Sequence, residues 1–392
     1  MRWEPLFVGA AAAPYRSFIE EEVDAVASPD RQLPRNPMLW TGCAGEALAL
    51  HHLGRFLDRD VSGPVSTLID QAVAQLDDGV VGDGLFMGMV GIGLVLARLE
   101  DELPFDCTDV LSVIDDHVAV RLEDASDANY ELYGGRAGDA LYALERSHKP
   151  RLRAALGAFV GWLEARAVHG AAGAHWSTRP TADYSANFGL APDRPVVLLG
   201  MAHGLAGLLP VLAGMVRAGI EAPRAQSLLD AAWSFIRQSA APSGRSRFPA
   251  GLCDGRPYGP ARFKWCNGDP GVLGAAAAAF GSAAPGLAGL VDLPARVALA
   301  LEDDEERGLC CGDAGRGLIF HILALETGIP SVRRAAEEAF ARARRPGPAP
   351  VGILGYGRIG VALAFASALS TEPPAWCSVM GLAARGDRGS PT

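Results

Sequence analysis

Trp265-Cys266-Asn267-Gly268-Asp269-Pro270-Gly271 and Leu309-Cys310-Cys311-Gly312-Asp313-Ala314-Gly315 are two stretches in which cysteine comes at the start of a Gly-x-x-Gly turn. Each turn opens an apolar segment, so the sulfur atoms are expected at the tips of two loops. Thiolates are the ligands that zinc and other soft metals prefer. The two stretches therefore predict a zinc site formed by Cys266, Cys310 and Cys311. The alternative is that all three are buried free thiols, which are common in Ala-rich cores.

The Gly-x-x-Gly turn is repeated along the whole chain. Its first glycines are separated by 46, 47, 69, 64, 44 and 45 residues, and an Ala-, Leu- and Val-rich segment of helical length follows nearly every copy. An interval near 45 residues fits two helices and two connections, whereas runs typical of strands are scarce. The seven copies are Gly42 to Gly45, Gly88 to Gly91, Gly135 to Gly138, Gly204 to Gly207, Gly268 to Gly271, Gly312 to Gly315 and Gly357 to Gly360. The sequence predicts helical hairpins that form an open solenoid or close into a double ring.

The two long intervals predict insertions, one within Ala172 to Pro195 and one within Ser239 to Lys264. Insertions near the turn face of a repeat protein commonly shape its binding cleft. We find no convincing linker and predict a single domain over residues 1–392, with a disordered tail from about residue 383.

The composition is that of a globular protein with a large core, since 49% of the 392 residues are hydrophobic and 20% are charged. A net charge of -10 gives no basic footprint for nucleic acid. Seven cysteines are an odd number and two are adjacent, which disfavours a disulfide framework and favours a reducing, cytoplasmic location. The uncharged run from Leu198 to Val216 is long enough to cross a membrane. Its glycines, Pro210 and His203 favour a loop before a buried helix, so we expect no stable membrane insertion.

Three further residues are candidates for the same site. His203 directly precedes the fourth turn, as Cys311 precedes the sixth, and an imidazole there can move protons in a central cavity. Glu131 lies four residues before the third turn, and Arg262 lies four residues before Cys266. Taken singly, these two are typical of surface charges. Together with an imidazole and a metal-bound thiolate, they suit a reaction that makes a nucleophilic sulfur and then handles an enolate.

Cys253 leaves open whether the predicted metal site is catalytic. It lies thirteen residues before Cys266 and could supply a fourth sulfur. Four protein ligands would close the site and make it structural, whereas three leave a position for water or substrate.

These residues resemble the lanthionine synthetase C-like family, the lanthipeptide cyclases. The likeness runs from Gly42 to Gly360 and is carried by the Trp-Cys-x-Gly-x-Pro-Gly and Cys-[His/Cys]-Gly-x-x-Gly motifs. The resemblance implies an α/α toroid with one central zinc ion bound by Cys266, Cys310 and Cys311. It also implies that peptide cysteine thiols are added to dehydroalanine or dehydrobutyrine to form thioether rings. His203 would be the acid/base, Glu131 the counterpart of a family aspartate, and Arg262 the counterpart of a family arginine.

The sequence departs from the family pattern at three positions. Cys311 replaces the histidine of many members, and a third thiolate should make a bound substrate sulfur more nucleophilic. Glu131 is one methylene longer than aspartate, and a shift of about 1 Å in a catalytic group can cost a hundredfold in rate. Asn267 replaces an aromatic residue that is common after the first cysteine.

The resemblance implies a dehydrated precursor peptide, with leader and core, as the partner. Nothing in the sequence resembles a dehydratase, so separate enzymes would have to supply that step. Two other functions stay open: addition of glutathione to dehydroamino acids, and a non-catalytic scaffold with structural zinc or none. A glycosidase of similar architecture would need paired carboxylates at the cavity mouth.

Overall fold

The Gly-x-x-Gly turns begin helices in the computed structural model, which describes residues 2–76, 81–126, 129–178, 194–241, 246–258, 262–301, 306–347 and 350–382. In chain order the α-helices are α1 (Ala13–Ala27), α2 (Cys43–Leu57), α3 (Ser62–Ala74), α4 (Met89–Leu99), α5 (Thr108–Glu123), α6 (Arg136–Glu145), α7 (Pro150–Arg166), α8 (Leu208–Arg217), α9 (Ala222–Gln238), α10 (Asp269–Phe280), α11 (Leu287–Leu299), α12 (Asp313–Thr327), α13 (Pro330–Ala343) and α14 (Arg358–Leu369). Short 3-10 helices cover Gly9–Ala11, Glu100–Glu102, Leu205–Gly207, Gly281–Ala283 and Ala375–Met380.

The even-numbered helices form an inner ring. Each packs against the next even-numbered helix, and α14 packs against α2, so the ring is closed. The odd-numbered helices pack outside it, and each contacts an inner helix that is its neighbour in the chain. The prediction of an α/α toroid built from seven helical hairpins is confirmed, and ring closure buries the apolar faces that an open solenoid would leave at its ends.

The second glycine of every turn is required by close backbone approach. A Cβ atom at any of these glycines would lie 1.8 to 2.5 Å from the carbonyl oxygen of the residue six positions earlier. The seven glycines are Gly45, Gly91, Gly138, Gly207, Gly271, Gly315 and Gly360. No side chain fits at such a distance, so only glycine lets the first turn of each inner helix sit against its own loop.

The loops before the inner helices are joined to one another by a closed circle of backbone hydrogen bonds. One bond links each loop to the next, with N···O distances between 2.8 and 3.2 Å. The donor and acceptor pairs are Trp40 to Phe86, Phe86 to Tyr133, Tyr133 to Ala202, Ala202 to Cys266, Trp265 to Cys310, Cys310 to Gly355, and Gly355 to Trp40. We call this circle the loop ring. It holds all seven loop tips at one end of the toroid.

Short strands lie in and beside the predicted insertions. β1 (Val168–Gly170) precedes the first insertion and pairs with β2 (Gly173–His175) inside it. β3 (Val197–Leu198) follows the first insertion and pairs with β4 (Gly251–Cys253) of the second, which pairs with β5 (Arg256–Tyr258). All pairings are antiparallel. The β3–β4 pairing joins the second insertion to the segment directly before the fourth loop. Parts of both insertions, and the tail predicted to be disordered, lie outside the described residues.

The C-terminal segment after α14 lies inside the inner ring. The carbonyl of Met380 accepts a hydrogen bond from the indole of Trp265 at 3.1 Å. Ser378 accepts one from Arg98 of α4 at 2.9 Å, and Leu382 lies against Gly274 of α10. Residues 375–382 therefore fill the centre of the toroid beneath the loop ring.

The apolar run from Leu198 to Val216 is divided between β3, a 3-10 turn and the ten-residue helix α8. Within the described ranges, every helix is too short or too polar to span a membrane.

The close-approach glycines give a stability prediction. Gly45→Ala should lower the free energy of unfolding by about 3 kcal/mol or more, because its Cβ would lie 1.8 Å from the carbonyl oxygen of Leu39. Gly157→Ala, within α7, is the control, since its Cβ would meet Glu221 at an ordinary 3.8 Å. That change should raise stability by about 1 kcal/mol. Urea denaturation checks both, and equal stability of the two variants would contradict the packing described.

Candidate metal centre

Three sulfur atoms meet where the fifth and sixth loops of the loop ring lie side by side. The Sγ atoms of Cys266, Cys310 and Cys311 all lie within 4.8 Å of one another, and those of Cys266 and Cys311 are 4.0 Å apart. Tetrahedral zinc with Zn–S bonds of about 2.3 Å places neighbouring sulfurs roughly 3.8 Å apart. The three sulfur atoms therefore fit a zinc ion after small movements of the cysteine side chains.

The loop ring itself positions these cysteines. Cys266 and Cys310 both lie two residues before the first glycine of a turn, at the level where the loops are bonded, whereas Cys311 lies one residue further on. Gly268 is essential to the fifth loop, because its φ is +137° and a Cβ there would meet the carbonyl oxygen of Arg262 at 1.5 Å. Helices α10 and α12 start directly after these loops, so their N-terminal ends favour negative charge at the sulfurs.

In the metal-free protein the negative charge of the cluster lies on Cys311. Hydrogen bonds from Cys266 and Cys310 lower the pKa of Cys311 to about 3, and the cations Lys264 and Arg262 act in the same direction. Hydrogen bonds to the same two neighbours and burial raise the pKa of Cys310 well above its usual value. One thiolate supported by two thiols is a preformed site for a soft cation.

His203 and Glu131 form a pair beside this cluster. The Nδ1 atom of His203 is hydrogen-bonded to the Glu131 carboxylate, whose other oxygen accepts the backbone N–H of Gly134 at 2.6 Å. Glu131 is only 9% exposed, so the surface position expected for it taken singly is wrong. Nδ1 of the imidazole faces the carboxylate, and the His203 side chain is 34% exposed.

Two tyrosines that the sequence reading did not select connect the histidine to the sulfurs. The ring of Tyr133 lies 5.0 Å from that of His203. Burial and the nearby Cys310 raise the pKa of Tyr133 to about 12. Burial and Cys310 also raise the pKa of Tyr356, a residue that is 43% exposed. Their positions two and one residues before a repeat glycine are the sequence signal that could have identified them.

The cations of the site lie on the segment before Cys266. Arg262 is exposed, and its charge helps to lower the pKa of Cys311. Lys264, which the sequence reading left out, is more buried and forms an ion pair with Glu306. The segment before Cys266 therefore brings two positive charges to the sulfur atoms. The His203–Glu131 pair adds an imidazole and a carboxylate to the same site.

Cys253 does not join the cluster. Among the described residues, the His, Cys, Asp and Glu groups near enough to share a metal ion are Cys266, Cys310 and Cys311. All seven cysteines are free thiols. The described side chains thus offer three sulfur atoms to a metal ion.

The comparisons with known proteins agree with this geometry. The sequence profile of the family described as lanthionine synthetase C-like protein matches residues 34–377. The chain belongs to this family. Among solved structures it resembles nisin cyclase, with a TM-score of 0.70 and 17% identity over 94% of this chain and 97% of that chain. The chain therefore has the fold of a lanthionine cyclase. A search of the curated proteins gave no match.

The thiolate of Cys311 predicts selective alkylation of the cluster. In metal-free protein at pH 6, iodoacetamide should modify Cys311 first, because a pKa of about 3 makes it a thiolate there, whereas a free thiol has a pKa of about 8.5. Peptide mass mapping identifies the site, and added zinc should slow the reaction. Cys253, partly exposed and outside the cluster, is the internal control. Modification of Cys253 ahead of Cys311 would contradict the charge distribution.

Proposed function

We propose that this LanC-like protein is a zinc-dependent peptide cyclase. It adds cysteine thiols to dehydroalanine or dehydrobutyrine in a ribosomally made precursor peptide and so closes lanthionine and methyllanthionine rings. The observation that carries the proposal is the three-sulfur cluster with an open fourth position, beside a histidine held by a carboxylate. Its occurrence in a chain with the fold of nisin cyclase supports the same conclusion.

Cys266, Cys310 and Cys311 would hold the zinc ion. When bound, zinc lowers the pKa of a coordinated thiol and so supplies a thiolate nucleophile at neutral pH. The open position suits a catalytic centre, and the absence of Cys253 from the described cluster disfavours the structural zinc of a scaffold protein.

His203 handles the proton in this proposal. Addition forms a C–S bond at the β-carbon, moves the electron pair of the double bond toward Cα and the carbonyl, and leaves the thiol proton to be returned to Cα. Glu131 holds the Nδ1–H, so Nε2 of His203 is the atom that accepts and returns this proton. Glu131 thereby serves as the positioning carboxylate despite its extra methylene.

Arg262 has a different task. The enolate formed during the addition carries negative charge on its oxygen, and a fixed cation nearby lowers the energy of that state. Arg262 is exposed at the rim and acts electrostatically on Cys311, so a substrate held between the sulfurs and His203 would come within range of its guanidinium.

The reaction needs a peptide that is already dehydrated, and we assign that step to separate dehydratases. Three thiols in mutual contact remain reduced only in a reducing compartment, so we place the reaction in the cytoplasm.

The metal ligands predict a joint loss of zinc and activity. Cys266→Ala should lose stoichiometric zinc, because two thiolates do not complete the site, and cyclisation should stop with it. Cys253→Ala is the matched control and should retain both. Metal analysis and a dehydrated test peptide check this, with ring closure followed by loss of the free thiol. Stoichiometric zinc in Cys266→Ala would refute the ligand set. Glutathione adducts without rings in the wild type would favour the glutathione-adding enzyme instead.

The His203–Glu131 pair predicts loss of activity with the metal in place. His203→Ala should lower kcat by about 100-fold or more, because general acid–base catalysis contributes that much, and zinc content should stay at one per chain. Glu131→Gln should give a smaller loss of kcat, since an amide still contacts the ring but no longer stabilises its protonated form. His148→Ala, at an exposed site, is the control. Wild-type kcat in His203→Ala would exclude the histidine from the chemistry.

A further inference from the structure

The distribution of cations in this chain singles out one residue. Of 35 lysines and arginines, the sequence contains only two lysines, Lys149 and Lys264. Lys149 is exposed at the start of α7. Lys264 lies two residues before Cys266, where the side chain is only 17% exposed. A chain that uses arginine almost everywhere therefore has an ammonium group next to its sulfur cluster.

Lys264 lies between the two loops that supply the cysteines. Its ammonium forms an ion pair with Glu306, which comes four residues before Cys310. Its backbone N–H is bonded to the carbonyl of Arg262 at 2.9 Å, which fixes the start of the side chain. From this position its charge acts on the thiols of both Cys266 and Cys311.

The charge of the site explains why a cation is needed there. Three thiolates on a divalent zinc ion leave a net charge of minus one, and a fourth thiolate from the substrate raises it to minus two. Thiolate charge is costly at a partly desolvated centre unless a positive group is close. Lysine suits this position because its ammonium is a compact point charge, whereas arginine spreads its charge over a planar fork.

We propose that Lys264 is the counter-charge of the three-thiolate centre and that it favours an anionic sulfur as the fourth ligand. It is a positioning residue that acts through Cys266 and Cys311. This inference rests on the proposed metal centre. It goes beyond the ligand set, because it assigns the selectivity for a thiolate to a residue that is not itself a ligand.

A purely structural role of Lys264 would give a different result when its ion-pair partner is replaced. The Lys264–Glu306 pair could matter only as a clamp between the two cysteine loops. In that case Glu306→Gln, which breaks the ion pair and keeps the lysine charge, would damage the site as much as Lys264→Met. If the charge is what matters, Glu306→Gln leaves Lys264 less neutralised, and thiolate binding is retained or strengthened.

Cobalt substitution tests the proposal without an activity measurement. Cobalt(II) replaces zinc in tetrahedral sulfur sites, and its absorption reports both sulfur ligation and the number of sulfurs. Cobalt-loaded full-length protein is titrated with 2-mercaptoethanol at pH 7, and the apparent Kd of the thiol is read from the spectrum. The variants are Lys264→Met, Lys264→Arg and Glu306→Gln, with Lys149→Met as the control for loss of the only other lysine.

The expected result is that every variant binds cobalt through sulfur and that Lys264→Met weakens thiol binding by about tenfold. Lys264→Arg should recover part of the loss, Glu306→Gln should bind the thiol at least as tightly as the wild type, and Lys149→Met should be unchanged. Equal thiol affinity in Lys264→Met and wild type overturns the inference and leaves the metal centre intact. Equal weakening in Lys264→Met and Glu306→Gln also overturns it, in favour of a clamp. Cobalt without sulfur ligation in the wild type overturns the metal centre and the inference together.

Discussion

The loop ring is the constraint on which the rest of the structure depends. Seven backbone hydrogen bonds hold seven loop tips at one level, and the last joins Gly355 to Trp40 across 315 residues of sequence. Side chains one or two residues before each repeat glycine are thereby presented at one end of the toroid. This end receives a histidine, three cysteines and two tyrosines from five different repeats. The set of functional groups at the site therefore depends on which residues directly precede the glycine turn of each repeat.

The fifth loop departs from the regular pattern, and it carries Cys266. Here the donor to the next loop is Trp265, while the acceptor from the previous loop is Cys266, so two successive residues take part in the ring. Two residues after Cys266, Gly268 has a positive φ. The indole N–H of Trp265 donates a hydrogen bond to the carbonyl of Met380 in the C-terminal segment. Cys266 is therefore fixed from both neighbouring loops and from the centre of the toroid. Such support keeps a metal ligand within the small tolerance that a tetrahedral site allows.

The buried charges hold the loops around the site. Asp269, the first residue of α10, accepts hydrogen bonds from Ser246 and from the backbone of Arg247 and Phe248, and so ties the second insertion to the helix after Cys266. Asp313, the first residue of α12, accepts hydrogen bonds from Arg316 of the same helix and from Arg342 of α13. Both carboxylates lie at a helix N-terminus, where negative charge is stabilising.

The sequence by itself determined the helical repeat and the cysteine cluster. Both depend on local chemistry: glycine is the only residue that allows the close approach before each inner helix, and thiolates are intrinsically ligands for soft metals. The tertiary structure decided which distant residues meet. The His203–Glu131 pair spans 72 residues, the Lys264–Glu306 pair spans 42, and Met380 reaches Trp265 only because the C-terminal segment enters the ring. These contacts arise when closure makes particular repeats neighbours, and no local pattern encodes that.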